Sequence, residues 1–210
     1  MTDFPTDSIL VLVEVSPGGA VLPSAAGLLG AAAGIGSPVA LVVTAPGAGS
    51  AAAASAGELG ASRVLVVERA DAATSLTGPL VDSLVGAAAL VSPQAVVISH
   101  SVQGRDVAAR FSARSGSMLA VDAVALSRDE EGPVSHHSVY GGSYLVDSAA
   151  SSGAMVVTVR QGAIEARAAA AQPTIETLEV PAGDTREVEV VGFEEAVAAS
   201  SRPDLRGAKT

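Results

Sequence analysis

The chain has 210 residues, 49% hydrophobic but only 2% aromatic, with no cysteine or tryptophan and a formal charge of −10. That charge, without any Lys/Arg cluster interleaved with aromatics, excludes a nucleic-acid binder, and the missing cysteines exclude disulfides, thiolate metal sites and thiol catalysis. The longest apolar stretch, Leu28 to Val43, is broken by Gly30, Gly34, Gly36, Ser37 and Pro38, and the acidic start lacks the basic region of a signal peptide, so a cytoplasmic protein with no membrane insertion is expected.

Four strand-then-helix units occupy the first half. Ile9 to Val15 is a near-continuous apolar run, as a strand covered on both faces should be. Ser16-Pro17-Gly18-Gly19 turns the chain into an Ala/Leu/Gly helix from about Pro23 to Gly34. Val39 to Val43 is the second strand, followed by Pro46-Gly47-Ala48-Gly49-Ser50 and an Ala-rich helix to about Leu59. Arg63 to Val67 is the third, with a helix from Thr74 or Ser75 to Leu90 closed by Ser92-Pro93. Ala95 to Ile98 is the fourth, and Gly104 to Ser115 its helix. This alternation predicts an α/β fold, a doubly wound, mostly parallel sheet of the adenine nucleotide alpha hydrolase-like kind.

After Met118 come short strand-like runs: Leu119 to Leu126, Val134 to Tyr140, Tyr144 to Asp147, Ala154 to Val159, Ile175 to Val180 and Val188 to Val191. Asp129-Glu130-Glu131-Gly132-Pro133 and Gly141-Gly142 are turn signals between them. Antiparallel edge strands are expected here, in a region too short and aromatic-poor for a second core. Gln161 to Gln172 reads as helix or loop. Late acidic residues, among them Glu176, Glu179, Glu187 and Glu189, read as a solvated face. The end of the chain, a Glu-rich helix followed by Pro203, reads as a linker to a domain that is not there. The division expected is residues 1–192 as the α/β domain and 193–210 as a short helix and interdomain hinge.

Ligands of open α/β sheets sit beyond the carboxyl ends of the strands, where strand order reverses. That points to Glu14–Gly19 and, above all, to Ser99–Arg110, S-H-S-V-Q-G-R-D-V-A-A-R. Gly104 permits close backbone approach, the helix N-terminus offers free N–H groups, and Arg105 adds charge, so Ser101, Gly104 and Arg105 form the candidate anion or interface loop. Asp106 and Arg110, four apart, are explained by pairing on the helix surface, with Asp106 also complementing the helix dipole. Gly34-Ile35-Gly36 and Pro46-Gly47-Ala48-Gly49-Ser50 read as tight turns. His136 and His137 point to opposite faces of a strand and cannot chelate one metal. His100 between two serines, with Asp106 nearby, lacks a nucleophile elbow, and no catalytic residue or metal ligand is assigned.

Several of these segments carry a resemblance. Ser101, Gly104, Arg105, Asp106 and Arg110 resemble the T-x-x-G-[KR]-D-x-x-x-R pattern of electron-transfer flavoprotein alpha subunits, with Ser for Thr. Val139-Tyr140-Gly141-Gly142-Ser143 is similar to that family's R-P-x-Y-A-G-N stretch, with His137 and Ser138 in place of Arg-Pro. Met155 to Arg160 resembles its V-I-T-V-R strand, and Ser200-Ser201-Arg202-Pro203-Asp204-Leu205 its S-x-R-P-[ED]-L hinge. The resemblance implies a non-catalytic scaffold that pairs with an electron-transfer flavoprotein beta subunit. It implies FAD held in the full-length protein by a glycine-rich domain after the hinge, absent from this sequence. Electrons would come from dehydrogenases such as acyl-CoA dehydrogenases. The alternative is a small adenine-nucleotide-binding module of the same fold, using the Ser99–Arg105 loop.

Overall fold

The computed structural model describes residues 3–181, 183 and 187–194; the 195–210 part of the expected helix and hinge lies outside the described residues. The parallel half follows from apolar strands too hydrophobic to face water. β1 (Ser8–Val13), β2 (Ser37–Thr44), β3 (Arg63–Glu68) and β4 (Ala95–Ser99) are almost wholly buried. They are joined by α1 (Ser24–Ala33), α2 (Gly49–Glu58), α3 (Gly78–Val91) and α4 (Val102–Ser115). Because side chains alternate along a strand, Ile9, Val11 and Val13 face α1 and α2, and Leu10 and Leu12 face α3 and α4. Alanines Ala25, Ala32, Ala52, Ala53 and Ala56 fill the first interface. With almost no aromatics to pack, small side chains let those helices lie close on the sheet.

The remaining strands are β5 (Met118–Arg128), β6 (Pro133–Val139), β7 (Tyr144–Ala149), β8 (Met155–Val159) and β9 (Thr174–Thr177). The sheet order is β7-β6-β5-β8-β4-β1-β2-β3-β9. β6 and β7 are the antiparallel edge additions expected. Two other late strands correct the edge assignment. β8 enters the sheet between β4 and β5, parallel to both, because all five of its residues are buried and an edge would leave one side wet. β9 extends the opposite edge, parallel to β3. Val188–Val191 is no strand: a single antiparallel bridge joins Glu189 to Ser75.

The stretch Gln161 to Gln172, read as helix or loop, belongs to an extended strap, 161–173, over α1 and α2. It fits because glycines face it: a Cβ on Gly30 would overlap the Ala166 carbonyl, and one on Gly57 or Gly60 would strike Pro173 or Ala168. A second strap, the described residues of 178–190, crosses α3. Leu178 N–H donates to Val66 O (2.8 Å), Leu76 N–H to Val188 O (3.1 Å) and Val190 N–H to Thr74 O (2.8 Å). Its Glu187 is not solvated as expected, since Arg110 binds both carboxylate oxygens at 3.1 Å. Among the described residues, no helix is long and apolar enough to cross a membrane.

Candidate functional site

Strand order reverses between β1 and β4, and the residues at that reversal are the ones expected there. α4 begins at Val102, two residues earlier than its expected start, with Ser101 as its N-cap. Ser101 Oγ accepts from Gly104 N–H at 2.8 Å, the usual way to satisfy an orphan donor of the first turn. The earlier start places Asp106 beyond that turn, so its role is not to complement the dipole. It accepts from Thr77 Oγ1 (2.6 Å) and from Arg110 Nε (3.2 Å), the surface pairing expected.

The anion place at the head of α4 is already taken. Ser101 Oγ donates to Glu14 Oε1, and Ser24 Oγ, at the start of α1, donates to Glu14 Oε2 at 3.1 Å. Glu14 is only 6% exposed. A carboxylate beside the N-terminal ends of two helices is in the field that would otherwise attract a phosphate. Gly104 is also committed: a Cβ there would overlap the carbonyl oxygen of Ser99. The close approach that requires glycine is therefore to the chain's own β4, not to a ligand. Arg105 is exposed and makes no ion pair among the described residues.

Beside it lies a polar cluster at the ends of β4, β8 and β5. Asp122 has φ 63°, where the β5–β8 register shifts between Ala120 and Ala123. Aspartate tolerates the left-handed region better than most residues. This bulge aims Asp122 N–H at Thr158 Oγ1 (3.0 Å), and the same hydroxyl meets His100 Nδ1 at 2.9 Å. Arg160 grips the Asp122 carboxylate through Nε (3.0 Å) and Nη2 (2.7 Å), and Nη2 also donates to Ser138 O. Those hydrogen bonds hold the Asp122 carboxyl below the usual carboxylate range, against the opposing effect of its own burial. Burial pushes the His100 imidazole below its ordinary range; Arg105 and Arg160 act in the same sense, and Asp122 opposes them. The acid that faces His100 is Asp122, at 3.8 Å. A triad with Asp106 is therefore not formed. Thr158 and Arg160 stand in the stretch Met155 to Arg160 that carried a resemblance, but only the bulge brings Asp122 to them.

The other histidines behave as strand neighbours must. His136 meets Ser127 and Asp147, while His137, on the opposite face, is 7% exposed and bonds Ser135 and the Val121 carbonyl. Among the described residues no group of three or more acids or histidines could hold a metal. The two glycine-rich stretches are turns and close contacts. Gly47 has φ 90°, Gly49 N–H is bound by Glu68 (2.9 Å), and a Cβ on Gly36 would strike Asp7 O.

A cleft of about 530 Å³ opens at the carboxyl ends of β1 and β2, with walls that include Val15, Leu22, Thr44, Leu76 and Phe193. No lysine or arginine lines it among the described residues, and the buried Thr44 hydroxyl has no hydrogen-bond partner. With Glu14 at the head of α4 and no cation in the cleft, these residues do not fit the diphosphate of a flavin or a nucleotide.

Comparison with known proteins supplies the lineage. The chain is 36% identical over 196 residues to a protein of Mycobacterium leprae named electron transfer flavoprotein subunit alpha, covering 93% of this chain and 60% of that protein. Proteins of the same name from two Mycobacterium tuberculosis strains are 38% identical over 174 residues, covering 83% of this chain and 54% of theirs. The chain thus spans between about half and three-fifths of the length of these relatives. Residues 9–183, from β1 to the second strap, match the electron transfer flavoprotein domain, and the chain belongs to that family.

Proposed function

We propose that this chain is the N-terminal scaffold of an electron transfer flavoprotein alpha subunit, a carrier component rather than a catalyst. In this reading residues 1–192 are the α/β domain and 193–210 lead as a hinge toward a flavin-holding region. The complete protein would pass electrons by way of FAD from dehydrogenases, such as acyl-CoA dehydrogenases, to the respiratory chain. Its partner would be a beta subunit, and its place the cytoplasm. The observation that carries the reading is that, at the switch point of this family member, the chain's own Glu14 takes the anion place at the helix N-termini. A fold that binds ligands at that point elsewhere has here given it to internal hydrogen bonds, which suits a scaffold. In this reading the flavin is held outside the described residues, and no step of electron transfer is assigned to them. Arg105, the exposed member of the Ser101–Gly104–Arg105 loop, is proposed as a contact for an acidic group on a partner.

Calorimetry of the purified chain with AMP and ATP, together with its visible absorbance, tests this. No flavin band and no heat of nucleotide binding are expected. Stoichiometric flavin would overturn the claim that the flavin site lies elsewhere, and a micromolar nucleotide constant lost in Arg105→Ala would put the nucleotide-binding alternative first.

A further inference from the structure

His100 sits in the turn from β4 to α4, and the hydrogen bonds around it fix where its proton lies. Its backbone N–H donates to Val159 O (2.8 Å), and its ring Nδ1 meets Thr158 Oγ1 at 2.9 Å. That hydroxyl oxygen already accepts from Asp122 N–H (3.0 Å). Thr158 is 1% exposed, so its hydroxyl proton needs an acceptor inside the protein. Among the described residues the acceptor within hydrogen-bond reach is His100 Nδ1. A neutral imidazole that accepts on Nδ1 carries its proton on Nε2. Nε2 lies 3.8 Å from Asp122 Oδ1, the oxygen that also accepts from Arg160 Nε (3.0 Å). Arg160 Nη2 reaches on to Ser138 O, so one set of bonds runs from the β4–α4 turn through β8 and β5 to β6.

A second proton breaks that arrangement. Added to Nδ1, it faces the hydroxyl proton of Thr158, which must turn away with no other acceptor among the described residues. Asp122 attracts the resulting cation, whereas Arg105 and Arg160 repel it. Its side chain is 19% exposed, which leaves the charge little water. These groups belong to β5, α4 and the end of β8, and His137 on β6 acts in turn on Asp122. Burial and the arginines outweigh Asp122, so the ring is neutral at pH 7 and its cation forms below the ordinary ~6.5.

We propose that His100 is a proton-operated latch on the head of α4. Neutral, in its Nε2–H form, it takes the Thr158 hydroxyl and ties the β4–α4 turn to the Asp122 bulge. Protonated, it gives up that bond and turns to the Asp122 carboxylate in competition with Arg160. The latch closes at neutral pH and opens on acidification. It loosens the turn that carries Ser101 and Arg105, while β4, β8 and β5 keep their own ladders.

NMR of the 15N-labelled 210-residue chain against pH tests it, because imidazole nitrogen shifts report the tautomer. At about pH 7.5 His100 should show the Nε2–H form, with a protonation midpoint below ~6.5. The Asp122 amide proton should shift with the same midpoint, since its acceptor is the hydroxyl that turns. In His100→Gln that titration should vanish. Thr158→Val removes the donor to Nδ1 and should raise the His100 midpoint by roughly half to one pH unit. Asp122→Asn, where asparagine tolerates φ 63° as aspartate does, should lower it through loss of the opposite charge. An Nδ1–H form near neutral pH overturns the proposal from the parent chain alone. So does an Asp122 amide that stays flat through the His100 titration, or a midpoint that Thr158→Val leaves unmoved or lowers.

Discussion

The two straps solve the same problem in opposite ways. The first, 161–173, crosses α1 and α2 by backbone fit. Ala166 and Ala168 lie against Gly30 and Gly60, Ala171 N–H donates to Gly57 O (2.9 Å), and among the described residues Arg167 donates to carbonyls of the strap itself. The second, the described residues of 178–190, crosses α3 on backbone hydrogen bonds at its two ends and on side-chain charge between them. Arg69, its side chain 6% exposed, chelates Asp71 (2.8 and 2.6 Å), approaches Asp82 (3.5 Å) and donates to Pro181 O (3.4 Å). Arg114 holds Asp82 at 2.6 Å, Gly183 N–H donates to Asp82, and Arg110 holds Glu187. A strap held by shape tolerates salt and acid but not an added methyl. One held by charge tolerates volume changes better than screening.

The largest expected effect is on the shape-held strap. Gly30→Ala gains about 1 kcal/mol of helix propensity, yet its new Cβ overlaps the backbone at Ala166. Overpacking costs about 1–3 kcal/mol, and an overlap this deep with backbone belongs at the upper end, so a net loss of about 2 kcal/mol in urea unfolding is expected, with faster tryptic cleavage after Arg167. Gly27→Ala, whose Cβ would lie 3.3 Å from Ile164 O, should be near neutral. A stabilised Gly30→Ala protein would mean that the strap is not seated there.

Arg69→Met comes next. It leaves Asp71 able to turn toward water and Asp82 still bound by Arg114, which moderates the several kcal/mol that breaking a fully buried pair costs. A loss of about 1–2 kcal/mol is expected, with faster hydrogen exchange at the Val190 and Leu76 amides and none added at Ala171. Equal acceleration at all three would show that the straps open together.

Glu187→Gln should cost only about 0.5 kcal/mol, because Arg110 is 39% exposed and exposed pairs contribute little. The difference from the parent should vanish near 1 M salt, where screening reaches ~3 Å. A salt-independent loss would point to packing of Glu187 over Gly78 as its role.

The pH dependence is the gentlest way to separate the straps. Hydrogen bonds from Arg69 lower the Asp71 pKa. Its contribution is therefore present above the unfolded carboxylate value of ~3.9 and lost as pH falls through the folded one. His100, lowered by burial, also favours the neutral side: its contribution is present above ~6.5 and lost on acidification below that value. Melting temperature against pH should thus decline in two stages, and His100→Gln should remove the upper one. Exchange at Val190 should rise in the lower stage before exchange at Ala171 does.

Much of this molecule was legible as a string of residues. Apolar runs such as Ile9–Val13 and Ala95–Ile98, punctuated by Gly/Pro turns, fix strands, crossovers and a parallel sheet, because period and chirality leave few other ways to bury both faces. Ser101, by contrast, is the N-cap of a helix whose expected start is Gly104. Residues far apart in sequence set the remainder. Nothing local in Met155–Val159 says that it slots between β4 and β5, and nothing in Gly30 or Gly57 says that a strap will press on it. Asp122 meets Arg160 and His100 only because a bulge rotates it across the sheet. Glu14 takes the anion place only because α1 and α4 bring Ser24 and Ser101 to one carboxylate. Local pattern encodes which surfaces must be buried, whereas occupancy of a site depends on which distant groups arrive there first.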